Sequence, residues 1–469
     1  MKLSVTKLFW VIIVVSMVLR WALILQGGLF FNPDEYRYHR AIDFLHQLKS
    51  GEVREALLMF YKYADHNGYM VIAAVPAALQ GVLDVMGIPP ERSMKLAAMM
   101  LSLFSVANLA LVFAIARRTG RSKKEALLAM FLLAASCTMY RYSRHLLPYD
   151  ISIFFALLTI YLVHGSRSAK ALFGCGVSAF LVFMTYNAFW TLSGLVLVYA
   201  LVQLLAGEKK QFAWVVGGFL LLPLWQFVMA ELLGYSYLQS LSNFSATITQ
   251  GTWSEGWWLG WAYLWHSEHT LLLVWALGIG LLLASRLERS VLYWLLLVVA
   301  MYLLLVLGSV VLQKFVVYGR SMRQLVPFIC LLAAAGLMKK PRWIAPIVLL
   351  VSIQAIWNFA LVSKQRFPEA LLSEAQAAYE DLSVALAVTG PELHVDESLN
   401  GPSRYVLVNH RVLTPVTGTN AVPAGELIFS FPHPCQSKLY QYNGLNAEER
   451  QLIDQSDQSI RLIDTQPAR

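Results

Sequence analysis

Long apolar runs limit this chain more than any other feature of its sequence. They lie at residues 8–26, 93–116, 125–141, 150–165, 171–186, 188–206, 211–230, 269–285, 290–312, 324–338 and 343–361. Each approaches the length of about 20 residues that a helix needs to cross the hydrocarbon core of a bilayer. The composition agrees: 58% of residues are hydrophobic and 14% are charged, against about 25% charged in soluble domains. A soluble fold is excluded. The expectation is an all-α polytopic membrane protein of about 11 transmembrane helices.

The net charge of +9 divides unevenly. Residues 1–363 carry 29 basic and 15 acidic groups, and residues 364–469 carry 8 and 13. A basic membrane part is expected of a protein whose positive charges sit in cytoplasmic loops, which makes nucleic acid an unneeded partner. The first run follows Lys2 and Lys7 and reads as a retained anchor with its C-terminal end outside. Every second connection is then cytoplasmic. Those connections carry Arg117, Arg118, Arg121, Lys123 and Lys124, then Arg167 and Lys170, Lys209 and Lys210, Arg286 and Arg289, and finally Lys339, Lys340 and Arg342. All five agree with the rule that basic loops stay inside. Residues 69–88 are also long enough to cross, but a crossing there would put the Arg117–Lys124 cluster outside, so this stretch is expected as an interfacial or re-entrant helix.

Two domains follow. Residues 1–363 form the transmembrane unit, with an external loop over 27–92 that carries interfacial helices. Residues 364–469, interrupted by Pro391, Pro402, Pro415, Pro423, Pro432 and Pro434, are expected to form a small mixed α/β C-terminal domain on the extracytoplasmic side. Cys137, Cys175, Cys330 and Cys435 are widely spaced, and three lie in apolar runs, so neither a zinc site nor a disulfide framework is expected.

The candidate chemistry lies at the external ends of the runs. Asn32-Pro33-Asp34-Glu35-Tyr36-Arg37-Tyr38 follows the first run directly. Helix capping by Asn32 and the dipole preference of Asp34 and Glu35 explain the pattern structurally. The functional alternative is a carboxylate at the membrane surface serving as general base. Further on, Lys62, His66 and Tyr69 lie in YKYADHNGY, where Lys62 could meet a phosphate and His66 could donate a hydrogen bond. The short connection RYSRHLLPYD holds Arg141, Arg144, His145 and Asp150, and KFVVYGRSMRQLVP holds Lys314, Arg320 and Arg323. Snorkelling explains Lys314, and an ion pair of Arg144 with Asp150 would explain the former connection. Otherwise cations on an outer face oppose the usual bias and point to an anionic ligand, whose phosphate oxygens match guanidinium geometry.

The order NPDEYRY, interfacial helix, basic cytoplasmic loop, SRHLLPYD and a late RSMRQLVPFICLLAAAGL resembles the glycosyltransferase C superfamily. The likeness is to its bacterial branch of lipid A aminoarabinose transferases and, more distantly, protein O-mannosyltransferases. It covers roughly residues 8–165 and 314–340. The resemblance implies transfer of a sugar from a polyprenyl-phosphate carrier outside the cytoplasm, with Asp34 at the catalytic acidic position, Glu35 beside it, and Asp150 at the second acidic position. Where that branch carries Glu-Lys-Pro, this chain has Asp65-His66-Asn67.

The function expected is therefore an inverting glycosyltransferase of the inner membrane with Asp34 as general base. Arg37, Lys62, His66, Tyr69, Arg141, Arg144, His145, Lys314, Arg320 and Arg323 would bind the donor. The acceptor is a glycan, lipid or protein hydroxyl, and membrane lipids surround the whole. No cofactor is required, although Asp34, Glu35, Asp65 and Asp150 offer the hard oxygen ligands of a divalent cation. The competing readings are a transporter or flippase of anionic lipid-linked glycans, for which Arg20 is the clear ionisable residue within a run, and a non-catalytic assembly subunit.

Overall fold

A computed structural model describes residues 4–25, 37–62, 66–88, 90–165, 167–205, 209–250, 257–312, 319–364, 427–428 and 461–462. The described residues are almost entirely helical. The chain begins with α1 (Val5–Leu25), α2 (Arg37–Lys49), α3 (Val53–Lys62), α4 (Asn67–Val85) and α5 (Pro90–Arg118). Next come α6 (Lys123–Ala135), the single turn α7 (Cys137–Tyr140), α8 (Tyr149–Val163), α9 (Ala169–Thr185), α10 (Trp190–Gln203) and α11 (Lys209–Leu232). The last group is α12 (Tyr237–Gln250), α13 (Leu259–Glu268), α14 (Thr270–Leu283), α15 (Arg289–Val306), α16 (Val326–Leu337) and α17 (Ile344–Lys364). Every one of the apolar runs is helical. In the tail, Leu427–Ile428 (β1) pairs antiparallel with Arg461–Leu462 (β2), and the rest of the expected C-terminal domain lies outside the described residues.

Six described helices are long and apolar enough to cross a bilayer, or seven if the bent α6–α7 pair is one span. They include Asn67–Val85. Length and composition therefore admit α4 as a crossing helix, whereas the charge pattern of the loops does not. Five shorter apolar helices, among them α8, α9 and α16, complete the set. The protein is a multi-pass membrane protein.

Local signals account for several helix starts. Ser122 accepts a hydrogen bond from the backbone N–H of Glu125 at 3.1 Å, and Ser168 accepts one from Ala171, so each caps its helix. At the centre stands α16, every residue of which is buried. Its sequence VPFICLLAAAGL is apolar on all sides, as a helix packed all round must be. Small residues let it approach α14 closely: a Cβ at Gly336 would lie 1.7 Å from the carbonyl oxygen of Gly278. The core formed around α16 also takes in buried residues of α5, α6, α8, α9, α10, α14 and α15.

The helix of the third run is not continuous. α6 stops at Ala135, and the segment 137–144 leaves it at 64°. The cysteine expectation needs correction at one position, because Cys137 is disulfide-bonded, to a partner outside the described residues. Cys175 and Cys330 are free and buried, as expected.

Candidate functional site

The bend after α6 starts a short path that carries Arg141 and Arg144. After α7 the chain makes a 3-10 turn over Arg141–Arg144, continues through His145, and enters α8 at Pro148. Asp150 lies in the first turn of α8, where the helix dipole favours a carboxylate. Its backbone carbonyl accepts a hydrogen bond from Asn108 of α5 at 3.0 Å. A second 3-10 turn, Gly319–Gln324, precedes α16 and delivers Arg323 to the same place. Arg323 forms an ion pair with Asp150 and also donates to the carbonyl of Met139 at 3.3 Å. Asp150 therefore pairs with a residue 173 positions away rather than with Arg144 as the local sequence allowed.

Three guanidinium groups are almost fully buried here, with exposures of 0% for Arg141, 1% for Arg144 and 0% for Arg323. Arg144 donates to the carbonyl of Val362 at 3.4 Å. The Arg323 guanidinium lies 4.9 Å from the ring centre of Tyr142 and 5.6 Å from that of Tyr149, within cation–π range. Arg141 lies 5.4 Å from the Tyr142 ring, and its three guanidinium nitrogens have no hydrogen-bond partner among the described residues. A fourth cation, Arg20 of α1, is also buried; it donates to Ser105 Oγ at 3.0 Å and to the Ser16 carbonyl at 3.1 Å. A small cleft adjoins this cluster, with Ser102, Tyr142, His145, Tyr149, Asp150 and Arg323 in its wall. Several buried cations around one carboxylate make a recess suited to an anion.

The early loop after α1 reaches the same region through aromatic rings. Tyr69 of α4 is fully buried and its hydroxyl donates to the carbonyl of Leu146, bracing the turn between Arg144 and Asp150. His66, just before α4, has a left-handed backbone at φ 57°. Its N–H donates to Asn187 Oδ1 at 2.6 Å, and its ring lies 5.3 Å from that of Tyr186. Tyr186 also contacts the ring of Tyr149 at 4.8 Å, and the Arg37 guanidinium lies 6.0 Å from the Tyr186 ring. Gly68 permits this packing: a Cβ there would sit 3.1 Å from the backbone of Met184 and Thr185 at the end of α9.

Asp34, Glu35 and Lys314 lie outside the described residues, as do the side chains of Lys62 and Arg320. Asp150, Arg323, Arg141, Arg144 and His145 come together; His66, Tyr69 and Arg37 form the adjoining aromatic side. Among the described residues no three His, Cys, Asp or Glu side chains gather as a metal would need. Of the four carboxylates considered as metal ligands, only Asp150 is described, and it is engaged with Arg323.

Glu268, Tyr186 and Asn187 carry no clear sign in the sequence. Glu268 ends α13, is fully buried, and accepts hydrogen bonds from Ser136 Oγ at 2.6 Å and from the backbone N–H groups of Cys137 at 3.1 Å and Thr138 at 2.8 Å. Burial pushes its carboxyl above the usual range, and these hydrogen bonds pull in the opposite direction. A single acid beside an apolar run carries no local mark of such a role. Arg20 did carry one, as a lone cation inside a run.

Two crystal structures of ArnT from Cupriavidus metallidurans share this fold. With the apo structure the TM-score is 0.50 at 14% identity, over 83% of this chain and 66% of that one. With the structure bound to undecaprenyl phosphate it is 0.59 at 13% identity, over 85% and 84%. This chain thus spans just under two thirds of the length of the apo structure. The helical membrane fold that the three motifs implied is therefore shared with ArnT. No protein-family model matches the chain, and no curated protein matches it.

Proposed function

We propose that this protein transfers a sugar from a polyprenyl-phosphate-linked donor to an acceptor hydroxyl at the outer face of the inner membrane. The observation that carries the reading is the buried Arg141 guanidinium, without a hydrogen-bond partner among the described residues, next to the Asp150–Arg323 pair. A buried cation is costly unless an anion accompanies it. The same fold in ArnT accommodates undecaprenyl phosphate.

In this reading the donor phosphate meets Arg141, Arg144 and Arg323, with Arg320 and Lys314 approaching from the late connection and Lys62 from the early loop. Asp150 orients Arg323 through their ion pair. Asp34 takes the proton from the acceptor hydroxyl, and Glu35 supports it. The acceptor oxygen forms a bond to the anomeric carbon as the bond from that carbon to the phosphate oxygen breaks, which inverts the anomeric configuration. The lipid phosphate leaves with the electron pair, and the arginines stabilise the charge that grows on it. General-base assistance is worth roughly 10²–10⁴-fold. Every step uses this chain's own side chains and none is routed through a metal.

Residues 1–363 form the catalytic unit, and the tail stands with the active site outside the cytoplasm. The acceptor class, whether glycan, lipid or protein, is what the test must find. The transporter alternative draws on Arg20, but the bonds from that side chain to Ser105 and Ser16 account for it as a fixed neighbour of the site. Mass analysis of lipid-linked glycans and envelope polysaccharides from cells with and without the gene separates the two. A missing sugar substituent with accumulated donor supports transfer. Loss of whole glycans from the outer face, without a change in their structure, supports transport.

A further inference from the structure

We propose that Glu268 is a positioning residue for the guanidinium cluster: by holding the break between α6 and α7 it fixes the turn that presents Arg141 and Arg144. The inference rests on the reading of that cluster as the donor-phosphate site and deepens it.

A helix that stops and restarts inside a protein leaves N–H groups at the new start without partners in their own helix. The restart here is at Cys137, and Ser136 precedes it in an extended conformation with φ −67° and ψ 117°. Ser136 does not cap the new turn with its own side chain. Glu268 does so from 130 residues away, taking the N–H groups of Cys137 and Thr138 together with the Ser136 hydroxyl. The segment it secures is short, and nearly all of it serves the cluster. Its backbone carries Arg141 and Arg144, and the carbonyl of Met139 accepts from Arg323. A shift of this turn would move all three guanidinium groups relative to one another.

Glu268 is itself fixed from behind. Its backbone carbonyl accepts a hydrogen bond from Gln354 of α17, and the carbonyl of Ser267 accepts one from Asn358 at 3.4 Å. The next residue, His269, has φ 42° and ψ −112°, a backbone that side-chain-bearing residues rarely adopt. Strain of this kind persists only where the surrounding structure holds it in place. α13 therefore ends in a junction that is both strained and tied down, with its terminal carboxylate directed at the bend.

The test uses the purified full-length protein with Glu268→Gln and Ser136→Ala. Glutamine keeps the shape but sets an amide NH₂ where one carboxylate oxygen accepted, so at least one donor loses its partner. Ser136→Ala removes a single bond and serves if the former variant folds poorly. Two readouts are taken: hydrogen exchange of the peptide covering residues 136–144, and the Kd for undecaprenyl phosphate. The expected result for Glu268→Gln is exchange at 137–140 faster by about tenfold or more, α16 unchanged, and a Kd raised about tenfold; Ser136→Ala falls between it and wild type. Gly336→Ala, which disturbs packing between α14 and α16, should lower thermal stability without moving the Kd of the folded fraction. Unchanged exchange, or faster exchange with an unchanged Kd, overturns the positioning role while leaving the function reading intact. A wild-type protein that does not bind undecaprenyl phosphate overturns the function reading and this inference with it.

Discussion

Arg141 and Asp150 differ in what holds them, and their variants should differ accordingly. Asp150 shares a buried ion pair with Arg323. Asp150→Asn would leave the Arg323 charge uncompensated in a site with little water, which costs roughly 3–5 kcal/mol for a buried pair. A clear fall in thermal stability in detergent is expected. Among the described residues Arg141 has no hydrogen bond to lose. Arg141→Gln should therefore leave thermal stability at or above that of wild type while donor binding weakens, and Arg141→Lys should weaken it as well, because an ammonium does not reproduce a two-pronged guanidinium contact. Thermal unfolding together with donor titration checks both variants. A large loss of stability in Arg141→Gln would mean that the side chain is structural.

Among the elements, α16 and its contact with α14 give the plainest prediction. Gly336→Ala would drive a methyl group into the Gly278 carbonyl, and overpacking of this kind costs about 1–3 kcal/mol. A lower melting temperature with unchanged donor affinity is expected, measured on the same preparation. The helices themselves were legible because each apolar run is a local property of the sequence, and each run is helical in the structure. The α6–α7 bend was not legible. Glu268, which bonds to the break there, lies 132 residues from Ser136, and a partner at that separation leaves no mark in the run it meets. The same holds for Asp150, whose local pattern offered Arg144 while the fold supplied Arg323. The short SRHLLPYD and RSMRQLVP segments were legible as two sets of cations, and only the fold, through the bonds of Arg323 to Asp150 and Met139, brings them together.

At the scale of the whole molecule, the loop charges and helix lengths disagree about one element. The charge pattern argues against α4 crossing, and in our proposal the basic connection around Arg117–Lys124 then lies in the cytoplasm and the tail outside. A reporter fused after Arg469 should then be active only outside the cytoplasm, and a labelled cysteine at exposed Arg118 should react only from within. A tail reporter active only in the cytoplasm would make α4 a span and move the arginine cluster relative to the donor. The fold was legible at this scale, but the acceptor was not, because no described element identifies what docks above the cleft.

The most direct measurement is the release of free undecaprenyl phosphate from a sugar-loaded donor by purified protein supplied with envelope extract as the source of acceptor. Wild type should release it only when the extract is present. Asp34→Asn should slow release by roughly 10²-fold or more, since an amide cannot accept the proton, while donor still binds. Arg141→Gln should bind donor poorly from the start. A donor left intact by wild type, or turned over equally well by Asp34→Asn, would contradict the account.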